Sequence, residues 1–107
     1  MKRREVWWVD FNPSTGGEAQ KIRPAVIISN NSSNRNLNRL QVVPCTSNID
    51  RVFAGEALVQ LPIGVRKAVA SQLMTASLTR FKTRIGEISE EEMLKVEDAV
   101  RLQLGLD

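Results

Sequence analysis

Residues Pro24-Ala25-Val26-Ile27-Ile28-Ser29 form a near-continuous apolar run with no polar alternation. Such a run reads as a central strand buried on both faces, so the rest of the chain must cover it twice. Pro24 fits the first position of that strand, where a missing N–H is tolerated. The neighbours it needs are short. Glu5-Val6-Trp7-Trp8-Val9-Asp10-Phe11 is rich in β-branched and aromatic residues and predicts a strand. The turn chemistry of Asn12 to Gly17 ends it. Leu40–Cys45 predicts a third strand, with Pro44 marking its exit or an edge, and Glu56–Gln60 a fourth. A fifth lies around Ala68-Val69-Ala70 and a short sixth over Thr83–Ile88. Between them, Asn30 to Asn38 reads as an exposed, mobile polar loop.

One helix closes the chain. Ser89 followed by Glu92 is a capping box, with Ile88 and Met93 placed to form a hydrophobic staple. Glu90, Glu91 and Glu92 sit at the positive end of the helix dipole, which explains the acidic triplet better than a metal site does. Met93, Val96, Val100 and Leu104 share one face, and Gly105 stops the helix. These elements predict a mostly β fold, an SH3-like barrel of five to seven strands with a C-terminal helix. That architecture hosts many functions and decides none. At 107 residues it should be a single domain, 1–107.

Composition removes whole classes of chemistry. There is no His and one Cys. That excludes His-dependent hydrolases, an intrachain disulfide and Cys-rich zinc sites. Cys45 reads as a buried strand residue, since no His exists to activate it. The six glycines form no phosphate-cradling loop. The basic start is broken too soon by Asp10, Asn12 and Pro13 for a signal peptide or a membrane span. A cytoplasmic protein with no membrane partner is therefore expected. Charge is uneven: residues 1–88 carry 13 Lys/Arg against 6 Asp/Glu, while residues 89–107 carry 2 against 6. A basic body suits a polyanionic partner, nucleic acid being the commonest; the alternative is surface charge for solubility.

Two stretches could hold a phosphate. Gly16 to Pro24 ends in Arg23, directly ahead of the buried strand, where a guanidinium fork is rigidly held. Otherwise Arg23 pairs with Glu18 or Asp10 and only pins the loop. Val43-Pro44-Cys45-Thr46-Ser47-Asn48 presents two hydroxyls and an amide where a strand runs out, or is an ordinary turn. With five aromatics, most of them expected in the core, base stacking cannot dominate. Basic side chains such as Lys21, Arg39, Arg51, Arg66 and Lys67 should carry more of any nucleic-acid contact.

Several blocks, in order along the chain, resemble the MazF/PemK toxin family. They are Arg4 to Pro13, Gly17-Glu18 through Lys21-Ile22-Arg23-Pro24 to Ser29, and Pro44-Cys45-Thr46-Ser47. Ser71-Gln72-Leu73-Met74-Thr75 with Arg80-Phe81, and Ile85 to Ser89, complete them. The resemblance implies a dimeric toxin of a toxin–antitoxin pair with an SH3-like barrel. It further implies a sequence-specific, ribosome-independent endoribonuclease that cleaves single-stranded RNA with no metal or other cofactor. The products implied are a 2′,3′-cyclic phosphate and a 5′-hydroxyl. The family's catalytic Arg falls on Arg23 and its catalytic Thr on Thr46. Glu18, Lys21, Ser47, Asn48, Arg51 and Gln72 are expected at the RNA, with Glu18 a base or a base-edge reader. The partners implied are single-stranded RNA, a second copy of the chain and a cognate antitoxin whose partly acidic tail covers the site.

Three positions depart from the family pattern. Glu5 replaces a Gly, Lys21 stands where a small residue is common, and Ser71 where Asp is common. The last removes an Arg–Asp acid/base pair proposed for the PemK branch and shifts weight to Arg23 and Thr46. An alternative reading within the same fold is a non-enzymatic, gyrase-poisoning toxin acting through the closing helix.

Overall fold

A computed structural model describes residues 1–13 and 15–107. The strands are β1 (Glu5–Asp10), β2 (Ile22–Ile27), β3 (Arg39–Thr46), β4 (Glu56–Leu61), β5 (Gly64–Val69), β6 (Met74–Ser77) and β7 (Phe81–Glu87). The helices are α1 (Asn31–Asn36) and α2 (Glu90–Leu104), with single 3₁₀ turns at Ala70–Gln72 and Leu78–Arg80. All the strand pairs are antiparallel, in the order β4-β5-β3-β2-β1-β7, with β6 also paired to β3. The barrel expectation is met by a curled sheet, a half-barrel whose end strands are β4 and β7.

β2 is covered twice, as its composition requires. Val26 faces one core with Val6, Val43, Cys45, Val59, Ile88, Met93 and Val96. Ala25 and Ile27 face a second core with Val9, Phe11, Leu40, Val42, Ala76 and Phe81. Successive side chains of a strand point to opposite faces, so a continuous apolar run feeds both layers.

Both strand prolines mark places where a ladder stops. Ile28 donates its N–H to Gln41 O at 3.0 Å, and Ala25 lies opposite Pro44. Alternation along that register turns the Pro24 nitrogen toward Cys45, where it has no proton to donate. The β2–β3 ladder accordingly ends at Ala25, so Pro24 is the third residue of β2 and not its first. Pro44 turns its nitrogen to the other edge of β3. There it falls between the pairing with β6, which ends at Val42, and that with β5, which begins at Cys45.

Two expectations need correction. Asn30 to Asn38 is not simply a loop, because it contains the six-residue helix α1. The Asn30 side chain caps it by accepting from Ser33 N at 2.8 Å, and the buried Asn34 donates to Ser29 O at 3.0 Å. These side-chain bonds to backbone stand in for an apolar stripe, so no periodicity announced the helix. On α2, Ala99 is buried and Leu104 is exposed, with Val100 only partly covered. β6 is a strand of its own, overlapping the end of the Ser71–Thr75 block and paired to β3.

Glu5, the first family departure, has a local structural role. It accepts the Trp7 indole N–H at 2.8 Å and lies 3.6 Å from Arg84 of β7. Burial raises its carboxyl, but the Trp7 bond, a backbone bond at Lys2 and the Arg84 charge outweigh burial and leave it lowered. Among the described residues no helix is long and apolar enough to cross a membrane.

The capping box forms as read. Ser89 Oγ accepts from Glu92 N at 3.1 Å, and Glu92 Oε1 accepts from Ser89 N at 3.0 Å. The other Glu92 oxygen accepts from Gln60 N at 2.6 Å, tying the helix start to the edge strand β4. Burial alone raises the Glu92 carboxyl. The Ser89 and Gln60 amides, the Ser89 hydroxyl and Lys95 outweigh it and hold the carboxyl below its ordinary 4.5. A folded-state pKa held low contributes stability above the unfolded value that is lost as pH falls through the folded one. Glu92→Ala should cost about 1–2 kcal/mol at pH 7. In denaturant melts at a series of pH values, the gap from wild type should narrow below pH 4.5. A gap that stays constant with pH would contradict this account.

Candidate active site

The end of the β2–β3 ladder opens the site. Continuing the register past Ala25 and Pro44 places Arg23 across from Thr46, on two strands no longer bonded to each other. Both residues are half-buried and line one cavity of about 270 Å³. On its far side Thr46 pairs with Lys67 of β5, so the strand that presents it stays in the sheet.

The β1–β2 loop forms the wall beside Arg23. At its neck, Lys21 adopts a left-handed φ of 67°, and its N–H donates to Asn12 Oδ1 at 2.9 Å. Arg80 donates to the carbonyls of Asp10 and Asn12 at 2.9 and 2.6 Å. At its tip, Gln72 accepts from Ala19 N at 2.8 Å and donates to Gly17 O at 3.0 Å. Between those two bonds Glu18 lines the cavity, and its Oε1 accepts from Thr15 N at 2.8 Å.

Arg23 is anchored through one nitrogen. Its Nε donates to Gln20 O at 2.9 Å. Among the described residues no carboxylate comes within ion-pair distance of it, so it pairs with neither Glu18 nor Asp10. Thr46 Oγ1 accepts a long bond from Asn48 N, at 3.3 Å, which leaves the hydroxyl proton available to a ligand. Cys45 also lines the cavity but is buried, and burial pushes its thiol up to about 12 against the lowering effect of Arg66. At neutral pH it is an inert thiol.

The cavity thus gathers four of the expected residues: Arg23, Thr46, Glu18 and Gln72. Lys21, Ser47, Asn48 and Arg51 are exposed and stand outside its lining. Asn48 Oδ1 accepts from Asp50 N at 3.3 Å, a local turn bond. Arg51 lies over the ring of Phe53, 5.9 Å from its centroid, and Phe53 is exposed, unlike the core aromatics Phe11 and Phe81. Gln20 and Val69 also line the cavity and were not anticipated. Gln20 contributes a backbone carbonyl to Arg23, and a carbonyl leaves no trace in residue identity.

The charge pattern resolves into pairs. Arg3 meets Glu97 at 2.6 Å, and Arg4 meets Glu87 and Glu90 at 3.0 and 3.7 Å. Part of the basic excess is therefore matched by acids of α2 and its approach. Lys67, expected among the RNA-facing cations, is corrected. It is buried, 3.2 Å from Glu56, and donates to Arg51 O at 2.8 Å.

An unpaired guanidinium facing a free hydroxyl across a parted sheet defines an anion-binding cleft on a small curled β scaffold. Known proteins share that scaffold. The family model for PemK-like, MazF-like toxins of type II toxin–antitoxin systems matches residues 2–104, and the chain belongs to this family. Endoribonuclease MazF9 of Mycobacterium tuberculosis is 36% identical over 99% of this chain and 98% of its own. Endoribonuclease MazF of Staphylococcus saprophyticus is 27% identical over 99% of this chain and 92% of its own. The crystal structure of MazF from Deinococcus radiodurans gives a TM-score of 0.85 at 21% identity, covering 99% of this chain and 97% of that one. An endoribonuclease in complex with its cognate antitoxin, from a mycobacterial species, gives 0.83 at 22% identity, covering 100% and 97%.

The Lys67–Glu56 pair holds the loop after Thr46, and both side chains are nearly buried, at 10% and 14% exposure. Removing one partner of such a pair strands the other charge. Lys67→Met should destabilise the protein by about 3 kcal/mol in urea unfolding. Adding Glu56→Gln should restore part of that loss. A single variant as stable as wild type would show that the pair is solvated and holds nothing.

Proposed function

We propose that the chain is the toxin of a toxin–antitoxin pair and an endoribonuclease that cleaves single-stranded RNA at the Arg23–Thr46 cleft, with no metal. The observation that carries this reading is the pairing of an uncompensated guanidinium with a donor hydroxyl at a strand break, in a chain of this family. In the proposed reaction the RNA 2′-oxygen attacks its own 3′-phosphate and the P–O5′ bond breaks. The 2′-hydroxyl proton is lost to a base and the leaving 5′-oxygen gains a proton, giving a 2′,3′-cyclic phosphate and a 5′-hydroxyl. Such a reaction needs positioning and stabilisation of charge on the phosphorane oxygens more than covalent help.

In this reading Arg23 neutralises that charge through its terminal nitrogens, and Thr46 donates to a non-bridging oxygen. Glu18 brings a carboxylate to the cleft and either takes the 2′-proton or reads a base edge. Lys21, Ser47, Asn48 and Arg51, exposed beside the cleft, contact the flanking nucleotides. The protein acts in the cytoplasm as a homodimer, and a partly acidic segment of the antitoxin inhibits it by covering Arg23. The gyrase-poisoning alternative is not favoured, because the similar proteins are named as endoribonucleases.

Arg23→Ala and Thr46→Ala should each lower RNA cleavage by about 10²–10³-fold without moving the melting temperature, as loss of a transition-state donor does. Cleavage by wild type should be unchanged in a chelator. Full cleavage by a folded Arg23→Ala protein sinks the site, and loss of wild-type activity in the chelator sinks the metal-free mechanism.

A further inference from the structure

We propose that Gln72 is a positioning residue: it latches the tip of the β1–β2 loop over the cleft and, through Gln20, sets the orientation of the Arg23 guanidinium. The inference rests on the reading of Arg23 as the phosphate-stabilising group. It replaces the expectation that Gln72 contacts RNA, because both polar ends of its side chain are already engaged.

The latch is built on a firm base. Gln72 ends the 3₁₀ turn after β5, a turn held by Ala70 N donating to Gly55 O at 3.1 Å and Leu73 N to Ala70 O at 3.0 Å. From there the carboxamide reaches a loop more than fifty residues away in sequence, accepting from Ala19 N and donating to Gly17 O. Donor and acceptor meet their complements, so a reversed amide would set like against like at both ends. A carboxamide of this length suits both bonds. A carboxylate keeps only the bond to Ala19, and an apolar side chain keeps neither.

Besides the latch, the tip is held by Ala19 packing on the second core and by two Thr15–Glu18 bonds within the tip itself. Gly16, Gly17, Glu18 and Gln20 are all exposed, and Gly16 has a φ of 59°. A segment with few buried contacts opens at low cost unless specific bonds hold it. Through the latch, the Ala19 amide fixes the chain one residue before Gln20, whose carbonyl takes the Arg23 Nε–H. With Nε engaged, the plane of the guanidinium is set and its terminal nitrogens form a fixed fork. Gln72 thus acts on the phosphate without touching it.

The test compares wild type, Gln72→Met and Gln72→Glu. One readout is hydrogen exchange at residues 15–20 without RNA. The second is single-turnover cleavage of a short RNA. The third is binding of that RNA carrying a 2′-O-methyl group at the scissile nucleotide. Gln72→Met should speed exchange in the loop about tenfold or more while the sheet and the melting temperature stay unchanged. Cleavage should fall about 10- to 100-fold with binding altered less than about threefold, as expected when a reacting group is misplaced. Gln72→Glu, which keeps one bond, should fall between, and it carries the test if Gln72→Met does not fold. Added to Arg23→Lys, which lacks Nε, Gln72→Met should cost less than about threefold more.

Unchanged loop exchange and cleavage would overturn the latch. So would weakened binding with a changed cut-site sequence and an intact loop, which would make Gln72 a base reader. If wild type cleaves no RNA, the functional reading fails, while the exchange result still decides whether Gln72 holds the loop.

Discussion

A missing proton organises this protein. Pro24 has no N–H where the alternation of β2 against β3 calls for a bond to Cys45, so the ladder ends at Ala25. Past that point the two strands part. The chain needs β2 buried on both faces to build its two cores, yet it also needs one end of that strand open. A proline inside the strand satisfies both demands. Pro44 is its counterpart on β3, placed where that strand leaves β6 and joins β5. The cleft is therefore a consequence of sheet geometry, and Arg23 and Thr46 are the opposed pair just past the unbonded Pro24 and Cys45.

Three tethers then convert an opening into a site. The Gln20 carbonyl holds Arg23, Gln72 holds the loop that carries Gln20, and the Lys67–Glu56 pair holds the segment that follows Thr46. None of the three donates charge to the cleft. They leave the guanidinium without a carboxylate partner, which is the electrostatic condition for receiving a phosphate. Elsewhere some of the basic residues are matched. Arg3 and Arg4 meet acids of α2 and its approach, so the contrast between a basic body and an acidic helix works partly to dock that helix.

Much of the fold was legible in the residues because its signals are local. The capping box at Ser89 and Glu92, the stop at Gly105 and the double burial of β2 each depend on residues close in the chain. The helix α1 was not legible, because it is held by Asn side chains and lacks an apolar stripe. Leu104 keeps the apolar spacing of the buried face yet is exposed, since periodicity does not say how far along a helix the sheet extends to cover it. At the site, Arg23 and Thr46 could be singled out by residue type and by resemblance. The roles of Gln72 and Lys67 could not, because both act through backbone atoms far away in sequence. Lys67 in particular reads as a surface cation until Glu56 and the Arg51 carbonyl are found around it.

The central claim is that the parted strands present Arg23 and Thr46 to a phosphate attacked by its neighbouring 2′-hydroxyl. The most direct measurement takes a cleaved RNA, identifies the ends produced, and repeats the reaction with a single 2′-deoxynucleotide on the 5′ side of the cut. The account predicts a 2′,3′-cyclic phosphate and a 5′-hydroxyl from the natural RNA, and no cleavage at the deoxy position. Cleavage of the deoxy substrate at that bond, or products bearing a 5′-phosphate, would contradict it.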